Sequence, residues 1–437
     1  MRAVGGWMAA AAAAAALSCN WTSFDDLKSE AWVGIAERED TETGGDYGVE
    51  ILAMPPAAGE QGIRYVIAVG NPLAGMAEAT FDATGALLDQ IGQNGRTGGS
   101  GALEPLTDTS VVFALKRYTG ETYLAGAPAI KQVVKFEMGL ANGMSILTNG
   151  PEQSGRAIAI GNLGFGSANP DVVTLGLLSL TIIKNGSMAP VTCNMKPPNA
   201  SQSPVIPLES LAVANVITST PHDEIIVGHI NLNNEPRILV IDPTAIQNGQ
   251  NCPETIAFTV ANNPPVSIQI AQLDGATTPL DMVTGTLRQG NGRVDVFMNP
   301  NWGQSGTPTP TEIPAPDSEE PSGSRGSRIR LADIEGDAGN EIIVGDPGAT
   351  VENVSNAGKV QVYKPGACAG GGEVRGPACL IRTVWDDTPA TNDQFGRALA
   401  VGPFTSSKGM KTILAVAEKT KLWVYFRISS ADTDPRD

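Results

Sequence analysis

A short apolar run returns seven times along this chain and ends at a glycine in the first six copies. It reads VIAVG at Gly70, YLAG at Gly126, VVTLG at Gly176, EIIVG at Gly228, DMVTG at Gly285, EIIVG at Gly345 and ILAVA near Val416, so successive copies lie 50 to 71 residues apart. A second β-rich run follows each copy: TFDATG, VVKFEMG, LTIIKNG, ILVIDP, VDVFMNP, VQVYKPG and LWVYF. Periodicity on this scale marks a repeat architecture in which each unit is one supersecondary element. The clearest unit, Ser327 to Gly366, reads as strand, acidic loop, strand, turn, strand, and Phe395 to Phe426 repeats that grammar. A spacing above 50 residues accommodates a four-stranded antiparallel sheet with its loops. One such sheet cannot bury both faces alone, and stacking sheets around an axis does so while leaving only short edges. The expected fold is all-β, a seven-bladed β-propeller of four-stranded blades.

Composition agrees with many short strands. Gly 50 and Pro 31 make about 19% of the 437 residues, against roughly 12% in average usage. The hydrophobic fraction of 41% supports a large core and excludes global disorder. Lys+Arg 29 against Asp+Glu 46 leaves a net charge of −17, which repels phosphate backbones and argues against nucleic acid as a partner.

After Phe426 only a short strand remainder and the polar tail 429–437 remain, while Ala31 to Ala36, AWVGIA, precedes the first unit. This N-terminal strand is expected to complete the last blade and close the ring, within one domain spanning 31–428. The segment 303–326, GQSGTPTPTEIPAPDSEEPSGSRG, is rich in Pro, Ser, Thr and Glu and reads as an exposed loop inside that domain.

Residues 1–18, MRAVGGWMAAAAAAAALS, carry one basic residue, an apolar run of about eleven and then small residues, the pattern of a secretory signal. The run is well short of the ~20 residues that span a bilayer. Ala16-Leu17-Ser18-Cys19 resembles a bacterial lipoprotein cleavage box, with Ala16 where such boxes favour Leu. Cys19 is thus the candidate lipidation site and 19–30 a tether. An ordinary export signal cut nearby is the alternative, and both readings place the chain at the cell envelope, as an outer-membrane or surface lipoprotein or in the periplasm. The membrane is touched only through the N-terminal lipid. Without Cys19 the cysteines are Cys193, Cys252, Cys368 and Cys379, an even set for an oxidising compartment that allows three pairings. Cys368 and Cys379 flank a Gly-rich turn and are expected to pair, which leaves Cys193 for Cys252. No Cys or His spacing suits zinc.

At these residues the chain resembles the FG-GAP repeat family, the repeat of integrin α-subunit β-propellers. Phe395-Gly396 stands at the FG of that motif and Tyr47-Gly48 is a conservative version, while Ala125-Gly126-Ala127-Pro128, Gly70-Asn71-Pro72 and Gly345-Asp346-Pro347 stand at its GAP. The resemblance covers roughly residues 45 to 426 and is degenerate in units three to five.

Asp333, Glu335, Asp337, Gly339 and Glu341 alternate oxygen donors over nine residues before a strand. Clustered carboxylates repel unless neutralised, and with a backbone carbonyl near Gly339 they could hold Ca²⁺. This segment resembles the calcium loop of integrin-type repeats, with Glu335 and Glu341 in place of shorter residues and Ala338 in place of Gly. One structural Ca²⁺ is the expected cofactor, and a solvated acidic turn is the alternative. The equivalent loops, with Asn162 and Asp171, Asn215, Asp223 and Glu224, or Asp274 and Asp281, lack the alternation.

The only histidines are His222 and His229, and no G-x-S-x-G elbow, phosphate loop or glycosidase carboxylate pair can be singled out. No catalytic residue is assigned. The resemblance implies a scaffold that binds a protein or glycan through loops at one face. A structural subunit of an envelope assembly is the second expectation, and an enzyme with a site at the propeller axis the third.

Overall fold

The computed structural model describes the strands between residues 30 and 149 as paired backbone. From 157 to 429 it describes the chain apart from 166–169, 177–178, 185–188, 196–209, 231–234, 261–263, 276–278, 288–291, 316–321, 323, 335–338, 367–372, 376–377, 407–408 and 420. Residues 1–29 and 430–437, which hold the signal, most of the tether and the polar tail, lie outside the described residues.

Strand β1 (Glu30–Glu39) opens the chain. Sheet one joins β2 (Glu50–Met54), β3 (Arg64–Ala68), β4 (Glu78–Phe81) and β5 (Leu87–Asp89). Sheet two joins β6 (Arg96–Thr107), β7 (Ser110–Tyr123), β8 (Ala127–Glu137) and β9 (Met144–Asn149), and sheet three β10 (Ala157–Gly161), β11 (Asp171–Leu175), β12 (Ser179–Ile183) and β13 (Val191–Asn194). Sheet four holds β14 (Leu211–Ala214), β15 (Glu224–Ile230), β16 (Pro236–Ile241) and β17 (Ile256–Thr259), and sheet five β18 (Ser267–Ala271), β19 (Asp281–Thr286), β20 (Arg293–Phe297) and β21 (Thr311–Ile313). Sheet six holds β22 (Arg328–Ala332), β23 (Glu341–Asp346), β24 (Lys359–Pro365), β25 (Glu373–Arg375) and β26 (Ala378–Val384). The last sheet runs β27 (Ala398–Ser406), β28 (Gly409–Ala417), β29 (Lys421–Ser429) and then β1. All sheet pairings are antiparallel, and β1 meets β29 from Glu30 opposite Ser429 to Glu39 opposite Lys421. No helix among the described residues is long and apolar enough to cross a membrane.

Six of the seven apolar runs lie in the second strand of their sheet, while of YLAG only Tyr123 falls within β7; the β-rich run after each overlaps the third strand. In sheets three to six these second strands are apolar with little alternation because both faces are covered. In sheet four, Ile225, Val227, Leu239 and Ile241 point into a cluster shared with sheet three, while Ile226, Ile238 and Val240 point into one shared with sheet five. Sheet six repeats this, with Ile342 and Val344 toward sheet five and Ile343 toward the last sheet. The core is therefore a series of inter-sheet layers. First strands of neighbouring sheets lie together: β2 with β6, β6 with β10, β10 with β14, β14 with β18, β18 with β22, β22 with β27, and β27 with β2.

The glycine that ends the second strand has a steric cause. A Cβ on Gly345 would stand 2.4 Å from the carbonyl oxygen of Gly396, and one on Gly285 would overlap that of Gly326. Gly326 and Gly396 enter the following sheets with φ of 78° and 88°. Each donates its own N–H to the second strand it joins, Gly326 to the Gly345 carbonyl and Gly396 to the Ala417 carbonyl, both at 3.0 Å. The Phe-Gly step of one unit thus crosses the glycine of the unit before it, backbone on backbone.

Two expectations need correction. Sheet six has five strands, because Glu373–Arg375 folds back onto β26 outside the four. The segment 303–326 is not an exposed loop throughout. Thr311–Ile313 is the outer strand of sheet five, with Ile313 buried, and Arg325 is among the largest fully buried side chains. Arg325-Gly326 stands two residues ahead of Arg328 at β22 as Phe395-Gly396 does ahead of Ala398 at β27, so an arginine occupies the place of the buried phenylalanine. Its guanidinium donates to the Ile313 carbonyl and Tyr363 hydroxyl at 3.1 Å and to Gln361 Oε1 at 3.3 Å. A polar stretch hides such single buried residues from composition.

Candidate functional site

Three acidic residues of the loops between first and second strands share one local job. Glu224, Asp281 and Glu341 each open the second strand of a sheet and are buried. Each accepts a backbone N–H from the second residue of the preceding loop. Glu224 Oε2 accepts from Val216 at 2.9 Å and from Ile217 at 3.0 Å, Asp281 Oδ2 from Leu273 at 2.9 Å, and Glu341 Oε2 from Ile334 at 2.8 Å. Val216, Leu273 and Ile334 are themselves buried, as is Leu163 in the loop before Asp171, which opens β11. One carboxylate therefore shuts each of the loops before Glu224, Asp281 and Glu341 where its chain leaves the first strand. An ionised acceptor suits this because hydrogen bonds to charged groups are stronger than neutral ones.

The residue before the clamping acid ties the loop to its neighbour. Asp223 Oδ2 accepts the Asn162 N–H at 2.8 Å, and the Asp223 N–H donates back to the Asn162 carbonyl at 2.8 Å. Asn340 donates to the Gln272 carbonyl from its N–H at 3.0 Å and from Nδ2 at 2.7 Å. Gly339, with φ 130°, sits where a Cβ would stand 2.7 Å from the Leu273 carbonyl oxygen. Burial raises the pKa values of Asp223 and Asp281 from their ordinary value, against the backbone N–H groups that lower them.

Among the expected calcium ligands, Asp333, Gly339 and Glu341 fall on this loop, and Glu335 and Asp337 lie outside the described residues. The position of Glu341 is accounted for by the clamp it shares with Glu224 and Asp281, in loops without the acidic alternation.

His222 is buried against Gly164, with Nδ1 3.7 Å from Glu224 Oε1 and Nε2 3.7 Å from Asp242 Oδ1. His229 lies in β15, where burial lowers its pKa.

Cys193 and Cys252 are joined by a disulfide with Cα atoms 4.9 Å apart. It fastens the segment around Asn251 to the outer strand of sheet three, where Asn194 N–H donates to the Gln250 carbonyl at 2.7 Å and Cys252 N–H to the Asn194 carbonyl at 2.9 Å. Sheet four is edged in the same way by Gly306, bonded to Ala257 and Thr259. Covered outer strands have no unpaired ladder to offer another chain. Cys379 is disulfide-bonded; Cys368 and the lipidation candidate Cys19 lie outside the described residues.

One grouping passed unnoticed in the sequence. Asp386, Asp393 and Glu418 bring carboxylate oxygens within 4.8 Å of one another. They come from three separate turns, after β26, before β27 and after β28, and no spacing motif unites them. The available signal was an acid at the end of ILAVA, where an apolar strand is turning.

No protein-family model and no curated protein matches the sequence. Among solved structures, the Myceliophteria thermophila Cps50 (Swd1) β-propeller domain aligns over 90% of this chain and 95% of its own length, at 8% identity and a TM-score of 0.47.

Proposed function

We propose that the chain is an exported, lipid-anchored β-propeller scaffold of the FG-GAP kind, seven-bladed and closed by its N-terminal strand, that binds a protein or glycan at the cell envelope. The observation that carries this reading is the order of first strands, each beside the next and β27 beside β2, with β1 added to the outer edge of the last sheet. The crossing of Gly345 by Phe395-Gly396 supports the repeat assignment, since it supplies a physical reason for both glycines of the motif. A rigid frame of sheets with loops clamped at their bases is the arrangement on which recognition loops are presented.

In the same reading Cys19 carries the lipid, and the loop from Asp333 to Glu341 takes one structural Ca²⁺ with Asp333, Glu335 and Asp337 as side-chain donors and the Gly339 carbonyl beside them. Glu341 then serves to hold the loop shut.

The test of function is binding of the purified protein to arrayed glycans and to solubilised envelope fractions, with Cys19→Ala to release the anchor. Saturable, reversible binding by the released protein supports a scaffold. Recovery only as a fixed-stoichiometry complex would move it to a structural subunit, and no binding to either material would overturn the reading. Thermal unfolding with Ca²⁺ and with chelator, on the protein and on Asp337→Ala, tests the ion at the acidic loop.

A further inference from the structure

We propose that Asp386, Asp393 and Glu418 form a second cation site, specific for a divalent ion such as Ca²⁺, at the junction of sheet six and the last sheet. The observation that points to a ligand is Glu418. It is 1% exposed, and neither of its carboxylate oxygens has a hydrogen-bond partner. A buried ionised carboxylate left so is costly, and proteins meet that cost with a partner, a metal or a proton.

The neighbours favour a metal. Asp386 is 2% exposed; its Oδ1 accepts the Thr388 N–H at 2.9 Å, and its Oδ2 faces Lys421 Nζ at 3.4 Å. Asp393 Oδ2 accepts the Ala390 N–H at 2.5 Å. Three oxygens within 4.8 Å of one another can share an ion that binds oxygen at about 2.3–2.6 Å. Three carboxylates against the Lys421 ammonium leave a charge of −2, which one divalent cation neutralises. Hard oxygen donors, with no thiol or imidazole among them, select Ca²⁺ or a similar ion over zinc.

The turns that carry Asp393 and Glu418 are fixed independently of an ion. The Lys419 N–H donates to the Asp393 carbonyl at 2.6 Å, the Glu418 N–H to the Lys421 carbonyl at 3.0 Å, and Gln394 N–H to the Asn356 carbonyl at 3.1 Å. The site is thus held in place and needs no reorganisation on binding. Burial and repulsion from Asp386 and Asp393 raise the Glu418 pKa to about 8, against the Lys421 ammonium, which lowers it. A bound divalent ion reverses that balance by favouring the ionised form.

The experiment measures Tb³⁺ luminescence excited through tryptophan, using Trp423 close to the site, with displacement by Ca²⁺, alongside thermal unfolding in Ca²⁺ and in chelator. The purified protein, Glu418→Gln, Asp393→Asn and Asp337→Ala are compared. The expected result is a Ca²⁺-displaceable signal and a raised midpoint in the protein and in Asp337→Ala, with Ca²⁺ affinity at least ten-fold lower in Glu418→Gln. Asp393→Asn, altering the partly exposed member, repeats the loss should Glu418→Gln fail to fold. Ca²⁺ stabilisation that survives both of these substitutions and disappears in Asp337→Ala would assign the ion to the acidic loop and overturn this site. So would an absence of Ca²⁺ response together with a higher midpoint for Glu418→Gln, which would make the cluster a proton site.

Discussion

Replacing Gly345 by alanine tests the crossing of neighbouring units directly. The added methyl would meet the Gly396 carbonyl oxygen at 2.4 Å and the Arg328 Cβ at 3.2 Å. A relaxed contact needs roughly another 1 Å, given the ~3.5 Å optimum of non-bonded contacts. The obstacle is backbone, held by the Gly396 N–H to Ala417 bond on one side and the Gly326 to Gly345 bond on the other, so neither partner swings away as a side chain does. Overpacking of this sort costs about 1–3 kcal/mol, and a backbone obstacle places the expected value near the top, about 3 kcal/mol. With about 2.1 cal/mol/K per residue over a single unfolding transition, that lowers the midpoint by about 3 °C. Two controls separate the crossing from glycine loss in general. A methyl added at Gly306 would have no atom within 4 Å, so Gly306→Ala is expected to lie within about 1 kcal/mol of the parent, on the stabilising side. Gly366 is equally open but has φ 91°, so Gly366→Ala is expected to lose about 1 kcal/mol through backbone strain alone. Differential scanning calorimetry reads all three. A Gly345→Ala midpoint matching that of Gly306→Ala would refute the crossing and with it the reason given for the repeated glycine.

Glu224→Ala leaves the Val216 and Ile217 N–H groups without their acceptor and is expected to cost about 3 kcal/mol in chemical denaturation; Glu341→Ala should lose less, having one such bond shown, and the loss should be the same with and without Ca²⁺. Arg325→Met removes the cation that acts on buried Asp346, so a loss of about 3 kcal/mol at neutral pH is expected, and the double variant with Asp346→Asn should recover part of it. Burial lowers the Lys359 pKa to about 8. Its folded pKa lies below the unfolded value near 10.4, so the native state is penalised while the lysine is charged, and the unfolding free energy should rise between pH 8 and about 10.4; Lys359→Met should flatten that rise. Cys193→Ser with Cys252→Ser opens a loop of sequence separation 59 and should cost about 4 kcal/mol on the chain-entropy account, read as a lower denaturation midpoint under oxidising conditions only.

The strands of sheets three to six were legible because both of their faces are buried. Runs such as Ile225 to Val227 and Ile342 to Val344 have no polar alternation to confuse with a surface strand, and the glycine after each marks the unit. Pairing of the N-terminal strand with β29 was legible from supply, since Phe426 is followed by little else and AWVGIA had no unit of its own. The sites were harder. The sequence shows that Glu224, Asp281 and Glu341 are acidic and precede a strand, yet the bond to the second loop residue depends on how the chain turns. A run of carboxylates therefore drew attention to Glu341 as an ion ligand while Glu224 and Asp281, doing the same work, read as ordinary turn residues. Arg325 was hidden by its neighbours, because proline, serine and glutamate around it suggest solvent and only the following glycine matches Gly396. Asp386, Asp393 and Glu418 are assembled by topology from turns that are distant in the chain.

The carboxylate clamp of sheets four, five and six fixes each loop at its two ends, and in sheet four it also holds Thr220 in between, whose hydroxyl donates to Glu224 Oε1. It closes a span of nine residues from Asp333 to Glu341 and of ten from Asn215 to Glu224 or Gln272 to Asp281. The intervening peptide can therefore drift, lengthen or be replaced without a change in strand register. Sheets four, five and six thus each carry a loop on a fixed socket, so new specificity can be acquired there, in nature or by grafting, one loop at a time and without redesigning the frame.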